Sequence, residues 1–357
     1  MSSTSTTTLV VGAGIIGLAS AFRLARAGHS VLLFDPHPAQ GATWAAAGML
    51  APSAEVSPGE ESNYALQKGA VVKWHELADE LSLMTGRRLS IHETGTLLVG
   101  LDASDRRMID QFVDVTRGFG VESLDVTRDL LPDLFRAISP RISSGTLLSG
   151  DAWIDPDEAV SILSQALDAL DVRIITEEVL SITSDGTGVR ATTCDDSYSG
   201  VAGILATGSA ALPGGAEISG QHTVRPVHGV TLRVQGVDRS TLPTVRAFVR
   251  GRNFYMVSRP GGYCVLGATL EERAEPAIQV GELSRLLRDA LDIVPELETA
   301  TVLESRFGLR PASQDLRPFF EVLANDGWAW SSGHYRHGVT LAPLAAQWAL
   351  DFVEAPA

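Results

Sequence analysis

Lysine is almost missing from this chain: Lys68 and Lys73 are the only two among 357 residues, both in one stretch of helical periodicity. A lysine Schiff base is therefore not the chemistry to look for. Cysteine is equally scarce. Cys194 and Cys264 form no CxxC pair and no disulfide framework, which points to a reducing compartment, the cytoplasm. Positive charge is in deficit, with 28 Lys and Arg against 43 Asp and Glu and a net charge of -15. Nucleic acids are thus not expected partners, because phosphate binding needs clustered cations, and the acidity reads as a solvated surface. No apolar run approaches the ~18 residues that cross a bilayer, so no membrane partner is expected either. Metal ligands are wanting too. His334 and His337 are three residues apart, but no Cys, Asp or Glu lies beside them. The opening MSSTSTTT lacks a basic start and an apolar stretch, and is expected to be a disordered tail.

What is present is an ordinary globular composition, 45% hydrophobic and 20% charged, in a chain too long for one core. Two closely joined lobes are expected. The stretch around which they are organised is Thr7 to Asp35. Thr8 to Val11 reads as a buried strand leading into Gly12, Gly14 and Gly17, followed by a helix over 15–27, a cap at Gly28, a second strand over 31–34 and Asp35 at its end. Gly12 allows a sharp turn, Gly14 lets a diphosphate approach the backbone, and Gly17 lets the helix lie on the strand. The helix start offers unpaired amides and a positive dipole end, and Asp35 is placed to accept hydrogen bonds from a ribose. Strand, glycines, helix and terminal acid in this order make a dinucleotide signal that a lone GxGxxG does not.

A second informative stretch, GATWAAAGMLAP, follows at once, a run of small residues suited to close backbone approach to something flat or charged. Together, VGAGIIGLASAFRLARAGHSVLLFD and GATWAAAGMLAP resemble the FAD-dependent D-amino-acid oxidase superfamily, and AAAGM looks most like its glycine oxidase branch. The resemblance implies FAD, lined by Ile15, Ile16, Asp35, Pro36, Ala42, Thr43, Ala47, Gly48 and Met49. It extends to ATG at 206–208, where Gly208 ends a strand as in the second flavin-contact signature, and to Val179 on the adenine side. Near the other end it covers GHYRHGVT, where His334, Tyr335, Arg336, His337, Gly338, Val339 and Thr340 are implied flavin contacts. Among catalytic positions it implies Tyr255, which orients the substrate, Arg310, which holds the substrate carboxylate, and Arg336, which can also reach it. From the residues alone Arg310 has open alternatives, a surface position or an internal salt bridge. Pro311 biases it towards extended backbone, and Phe307 and Leu309 suggest an apolar setting.

The remaining chain supplies the second lobe. A loop is expected over 53–63 and helices over 64–85, 104–119, 156 onwards, 281–291 and 341–353. Strands are expected over 89–101 (two, broken at Gly95), 172–176, 179–183, 188–193, 201–206, 301–309 and 328–333, with an alternating antiparallel pattern over 222–268 and a hairpin turn at Pro260. The expected fold is α/β, a Rossmann-like FAD-binding domain (1–85, 146–220, 301–357) with an inserted α+β substrate domain on a mainly antiparallel sheet (86–145, 221–300). The implied activity is oxidation of a small amino acid by non-covalent FAD and molecular oxygen, in a homo-oligomer that by resemblance is a tetramer. For glycine the products are glyoxylate, ammonia and hydrogen peroxide, with the imine also able to feed the thiazole of thiamine. Asn253 stands where some glycine oxidases carry His, and Leu270 where Met occurs, so sarcosine and small D-amino acids remain candidate substrates. Oxidases or dehydrogenases of the same fold, and a flavin-binding module without turnover, are the alternatives.

Overall fold

A computed structural model describes residues 7–56, 61–215, 222–323 and 327–355. The run Thr7–Val11 is apolar on both sides because it sits in the middle of a six-stranded sheet, between Ala202–Leu205 and Ser30–Phe34, both parallel to it. Trp328–Ser332 extends the sheet in parallel on one side and Arg173–Ile175 on the other, and Phe319–Val322 adds an antiparallel edge. Alternation divides these strands between two cores. Val10, Val31 and Leu33 face the helices Ile15–Arg26, Glu61–Thr85, Pro156–Ala169 and Gly338–Val353, whereas Leu9, Val11 and Phe34 face a small antiparallel sheet of Ser181–Ser184, Val189–Thr192 and Ser197–Gly200.

The second large sheet has eight strands, in the order Thr301–Ala312, Arg225–Gln235, Tyr263–Gly267, Arg252–Arg259, Thr244–Val249, Thr96–Gly100, Ser144–Leu148 and Leu124–Thr127. Every pairing is antiparallel except that of Thr244–Val249 with Thr96–Gly100. One face packs Phe254, Met256, Leu232 and Val245 against the helix Val280–Ile293. The other face, carrying Tyr255, Arg310 and Arg246, turns towards the first sheet.

Several elements depart from the sequence expectation. The strand beginning at 301 runs on to Ala312 and pairs along its length with Arg225–Gln235, so it belongs to the second sheet and not, as expected, with the strands of the first lobe. Leu124–Thr127, Ser144–Leu148, Ser197–Gly200 and Phe319–Val322 are strands without a counterpart in the expectation, being short or interrupted by polar residues, whereas Thr244–Val249 falls inside the alternating stretch expected over 222–268. Of the two strands expected over 89–101, Thr96–Gly100 forms, while the earlier half makes only an isolated bridge at His92. The expected loop over 53–63 begins with a turn of helix, Pro52–Glu55, and the long helix starts at Glu61; residues 57–60 lie outside those described. The first strand begins at Thr7, one residue ahead of its expected start at Thr8; residues 1–6 of the expected tail lie outside those described. The last helix starts at Gly338, three residues earlier than expected, with Pro343 inside it.

Candidate active site

Between the two sheets lies a cavity of about 1200 Å³, bounded on one side by the carboxyl ends of the parallel strands, where Val11, Phe34, Ala206 and Ser331 contribute. This is where open α/β sheets bind ligands. Every residue anticipated from sequence lines it except Gly17. Gly17 lies beneath instead, where a Cβ would overlap the carbonyl of Gly12. Gly12 has φ +99°, and a Cβ there would overlap the carbonyl of Ala206, so both conformation and space require glycine. The helix start after Gly14 has no side-chain cap from its N-cap residue; Thr43 Oγ1 accepts the amide of Ile15 at 3.0 Å. Asp35 ties the neighbouring loops, accepting from the amides of Ala13 at 2.6 Å and His37 at 2.8 Å.

The small-residue run is held from behind by arginines of the second sheet. Arg233 donates to the carbonyls of Trp44 and Ala46 at 3.1 and 3.2 Å, Arg259 to Ala47 at 2.8 Å and Arg306 to Trp44 at 2.9 Å. Thr231 Oγ1 adds a bond to the carbonyl of Ala45 at 2.9 Å. With its carbonyls claimed on the far side, the run presents Ala42, Ala45, Ala46, Ala47 and Gly48 to the cavity. Gly308 permits the close approach, since a Cβ there would lie 2.9 Å from Ala45 Cβ and 3.0 Å from Ala42 Cα.

At the opposite wall, His334 to Thr340 enter from the strand end into the last helix. Tyr335 has φ 48°, a left-handed conformation that residues other than glycine seldom adopt. Burial lowers the pKa of His334 to about 4; burial, then Arg336, lowers that of His337 to about 3, so both rings are neutral at neutral pH. Their Nε2 atoms, with Thr207 Oγ1 and Ser331 Oγ, are buried and have no hydrogen-bond partner among the described residues. Unpaired buried polar atoms are costly, and all four residues line the cavity. A cofactor with a polar ring edge and a diphosphate would satisfy them and the glycine-lined helix start together. The residues present therefore fit FAD. Neither cysteine lines the cavity; Cys194 is exposed and Cys264 donates to the carbonyl of Val237.

The end lined by Tyr255 is where charge gathers. Glu55, missed in the sequence, accepts from Arg246 at 2.6 Å and from Arg336 Nε, and its carbonyl accepts from Arg336 Nη2 at 2.9 Å. Burial pushes the Glu55 carboxyl up, but Arg246 and Arg336 outweigh it and hold the pKa at about 2. Arg285 pairs with Glu271 at 2.6 Å and Arg252 with Asp289 at 2.5 Å. Arg310 differs. It donates only to the carbonyls of His228 at 3.4 Å and Thr269 at 3.3 Å, and has no carboxylate partner among the described residues. The structure thus brings Tyr255, Arg310 and Arg336 to one end of the cavity, with Arg336 engaged by Glu55. Burial raises the pKa of Tyr255, with Arg310 and Arg233 opposing, so its hydroxyl stays protonated. Arg246 sits inside the alternating stretch expected over 222–268 but was not singled out; Glu55 had no local signal, its partners being 191 and 281 residues away.

Comparison with known proteins agrees with this geometry. The family model described as FAD dependent oxidoreductase (DAO) matches residues 7–351. The chain is 30% identical to glycine oxidase of Geobacillus kaustophilus, covering 97% of this chain and 92% of that one. It is 31% identical to a putative thiamine biosynthesis oxidoreductase ThiO of Rhizobium etli, covering 95% of this chain and 93% of the other. The crystal structure of the Geobacillus kaustophilus glycine oxidase superposes with a TM-score of 0.87 at 26% identity, over 98% of this chain and 95% of that one.

Proposed function

Given that this chain belongs to the FAD dependent oxidoreductase family, we propose that it oxidises glycine to glyoxylate, ammonia and hydrogen peroxide, and that the imine formed on the way supplies thiamine biosynthesis. The observation that carries the choice of an amino-acid substrate is Arg310, a guanidinium lining the cavity with only main-chain carbonyls as partners among the described residues. A planar fork of donors in that state suits a carboxylate, which it can grip through two bonds.

Bound FAD would supply the acceptor for the hydrogen that leaves the α-carbon with its electron pair, molecular oxygen being the final oxidant. Gly12, Gly14, Ile15, Thr43 and Asp35 would hold its dinucleotide part, with Val179 on the adenine side. His334 to Thr340 and Ala47 to Met49 would hold its ring system. Arg310 fixes the substrate carboxylate, and the protonated Tyr255 hydroxyl orients the amine end or a bound water. Glu55 is held ionised by its two arginines, so its contribution is to fix Arg336 and Arg246. His334 and His337 are neutral, so neither ring adds positive charge to the cavity wall. Among the described residues that line this end of the cavity, Glu55 is committed to two arginines and no other carboxylate or histidine is poised as a base beside Tyr255 and Arg310, which suits hydride loss from a neutral amine. In this reading the first sheet with its helices is the FAD-binding lobe and the second sheet the substrate lobe. FAD is held without a covalent bond, and the enzyme works in the cytoplasm as a homo-oligomer, a tetramer.

The test is anaerobic addition of glycine to the purified yellow protein. Bleaching of the flavin band, and peroxide and glyoxylate on admitting oxygen, are expected. A preparation without flavin absorbance ends the proposal, and a flavin that only sarcosine or D-alanine bleaches moves the substrate.

A further inference from the structure

Tyr255 and Arg310 come from strands that are not neighbours. In the second sheet Arg310 lies on Thr301–Ala312 and Tyr255 on Arg252–Arg259, with Arg225–Gln235 and Tyr263–Gly267 between them. Three gaps of ~4.8 Å put their backbones about 14 Å apart, too far for upright side chains to serve one small substrate. Both lean inward, each across a glycine on the strand beside it. A Cβ built on Gly229 would fall within the Arg310 guanidinium, and one on Gly267 within the Tyr255 ring and hydroxyl. Neither glycine has a left-handed φ, so backbone conformation does not demand it; the space does.

We propose that Gly229 and Gly267 are positioning residues for substrate binding: their missing side chains let Arg310 and Tyr255 lie flat on the sheet and converge. With Arg310 flat, its Nη1 reaches the carbonyls of His228 and Thr269, which fix its direction along the sheet. Thr269 is itself secured, its hydroxyl accepting the amide of Val230 at 2.9 Å. A methyl at position 229 lifts the guanidinium off both carbonyls and away from the Tyr255 hydroxyl. The obstructed atoms are the far ends of flexible side chains, so the sheet itself has no need to move.

The inference rests on the amino-acid oxidase proposal, and the test is chosen to separate the two. Gly229→Ala is compared with the parent holoenzyme for acetate binding by calorimetry and for glycine turnover. Acetate Kd and glycine KM are expected to rise together by about 10- to 100-fold, with kcat within about threefold and FAD content unchanged. In an Arg310→Ala background Gly229→Ala is expected to add nothing, because the group it displaces is gone. Gly267→Ala is expected to lower glycine kcat/KM by about tenfold, an effect absent from the Tyr255→Ala background. An unchanged acetate Kd in Gly229→Ala, or equal losses with and without Arg310, overturns the proposal. If Gly229→Ala yields no flavin-loaded protein, Arg310→Lys, with its slimmer ammonium, carries the comparison: adding Gly229→Ala to it should leave acetate Kd unchanged, and a further loss overturns the proposal. A parent protein that binds acetate through Arg310 but oxidises no amino acid would end the functional proposal alone.

Discussion

The two ends of the cavity are built in opposite ways. The dinucleotide end consists of backbone and absent side chains, supplied largely by neighbours in sequence: a strand end, Gly12 and Gly14, a helix start, and Asp35 closing the next strand. The substrate end consists of charged and aromatic side chains from distant segments, as in the Glu55–Arg336 pair, which joins positions 281 residues apart. The first is a property of a short stretch of chain. The second exists only once the strand order of the eight-stranded sheet is set, because that order places Arg310, Tyr255 and Arg246 on one face.

If that contrast is sound, substitutions at the two ends should fail differently. The largest effect is expected from Gly12→Ala, where the added methyl meets the carbonyl of Ala206 and the backbone is at φ +99°. Neither rigid carbonyl nor left-handed backbone can yield, so the protein should purify without flavin, as its absorbance spectrum will show; a yellow Gly12→Ala protein would break the comparison. Arg310→Ala should leave flavin content intact and reduce kcat/KM for glycine by about 2–4 kcal/mol, the loss of a charged contact to the substrate carboxylate. Steady-state kinetics at matched flavin content measures it. Loss of FAD in this variant would mean that the two ends are not separable.

Glu55→Gln sharpens the contrast through pH. The folded carboxyl titrates at about 2 against an ordinary 4.5, because Arg246 and Arg336 outweigh burial. A depressed pKa contributes stability above the unfolded value that is lost as pH falls through the folded one. Urea unfolding should therefore find Glu55→Gln less stable at pH 7 by roughly 2–3 kcal/mol, the gap closing from about pH 4.5 downwards to 2. A gap that does not change with pH would remove the ionic account of this pair.

How much could be read in advance follows the same division. The first helix, Asp35 and the small-residue run were legible because each acts through its own local geometry. Even there the arginines holding the run could not be seen, since Arg233, Arg259 and Arg306 reach it from the other sheet. At the substrate end Arg310 was marked by an apolar setting and by resemblance, whereas Glu55 looked like part of a polar loop. Arg246 was hidden for a related reason: the alternating stretch 222–268 includes its strand, Thr244–Val249, but cross-strand register alone places it beside Tyr255. The strand expected over 301–309 was grouped with the first lobe and pairs in the second sheet, because strand patterns carry no record of their partners.

The smallest expected effect lies where the two kinds of construction meet, at the start of the last helix. Placing Pro343 inside this helix removes the amide that would bond the carbonyl of Val339 four residues earlier. That carbonyl is not abandoned: the indole of Trp74, from the helix Glu61–Thr85, donates to it at 2.9 Å. A side chain 265 positions away thus completes a backbone element that lines the cavity. Trp74→Phe removes the donor and part of the buried ring, so it should cost about 1–2 kcal/mol in urea unfolding, shared between one unsatisfied buried carbonyl and the lost volume. Pro343→Ala restores the amide within the helix, and in that background the Trp74→Phe penalty should fall to roughly half, the packing loss alone. An equal penalty in both backgrounds would show that Trp74 acts through packing alone, and that the helix start tolerates an open carbonyl facing its neighbour.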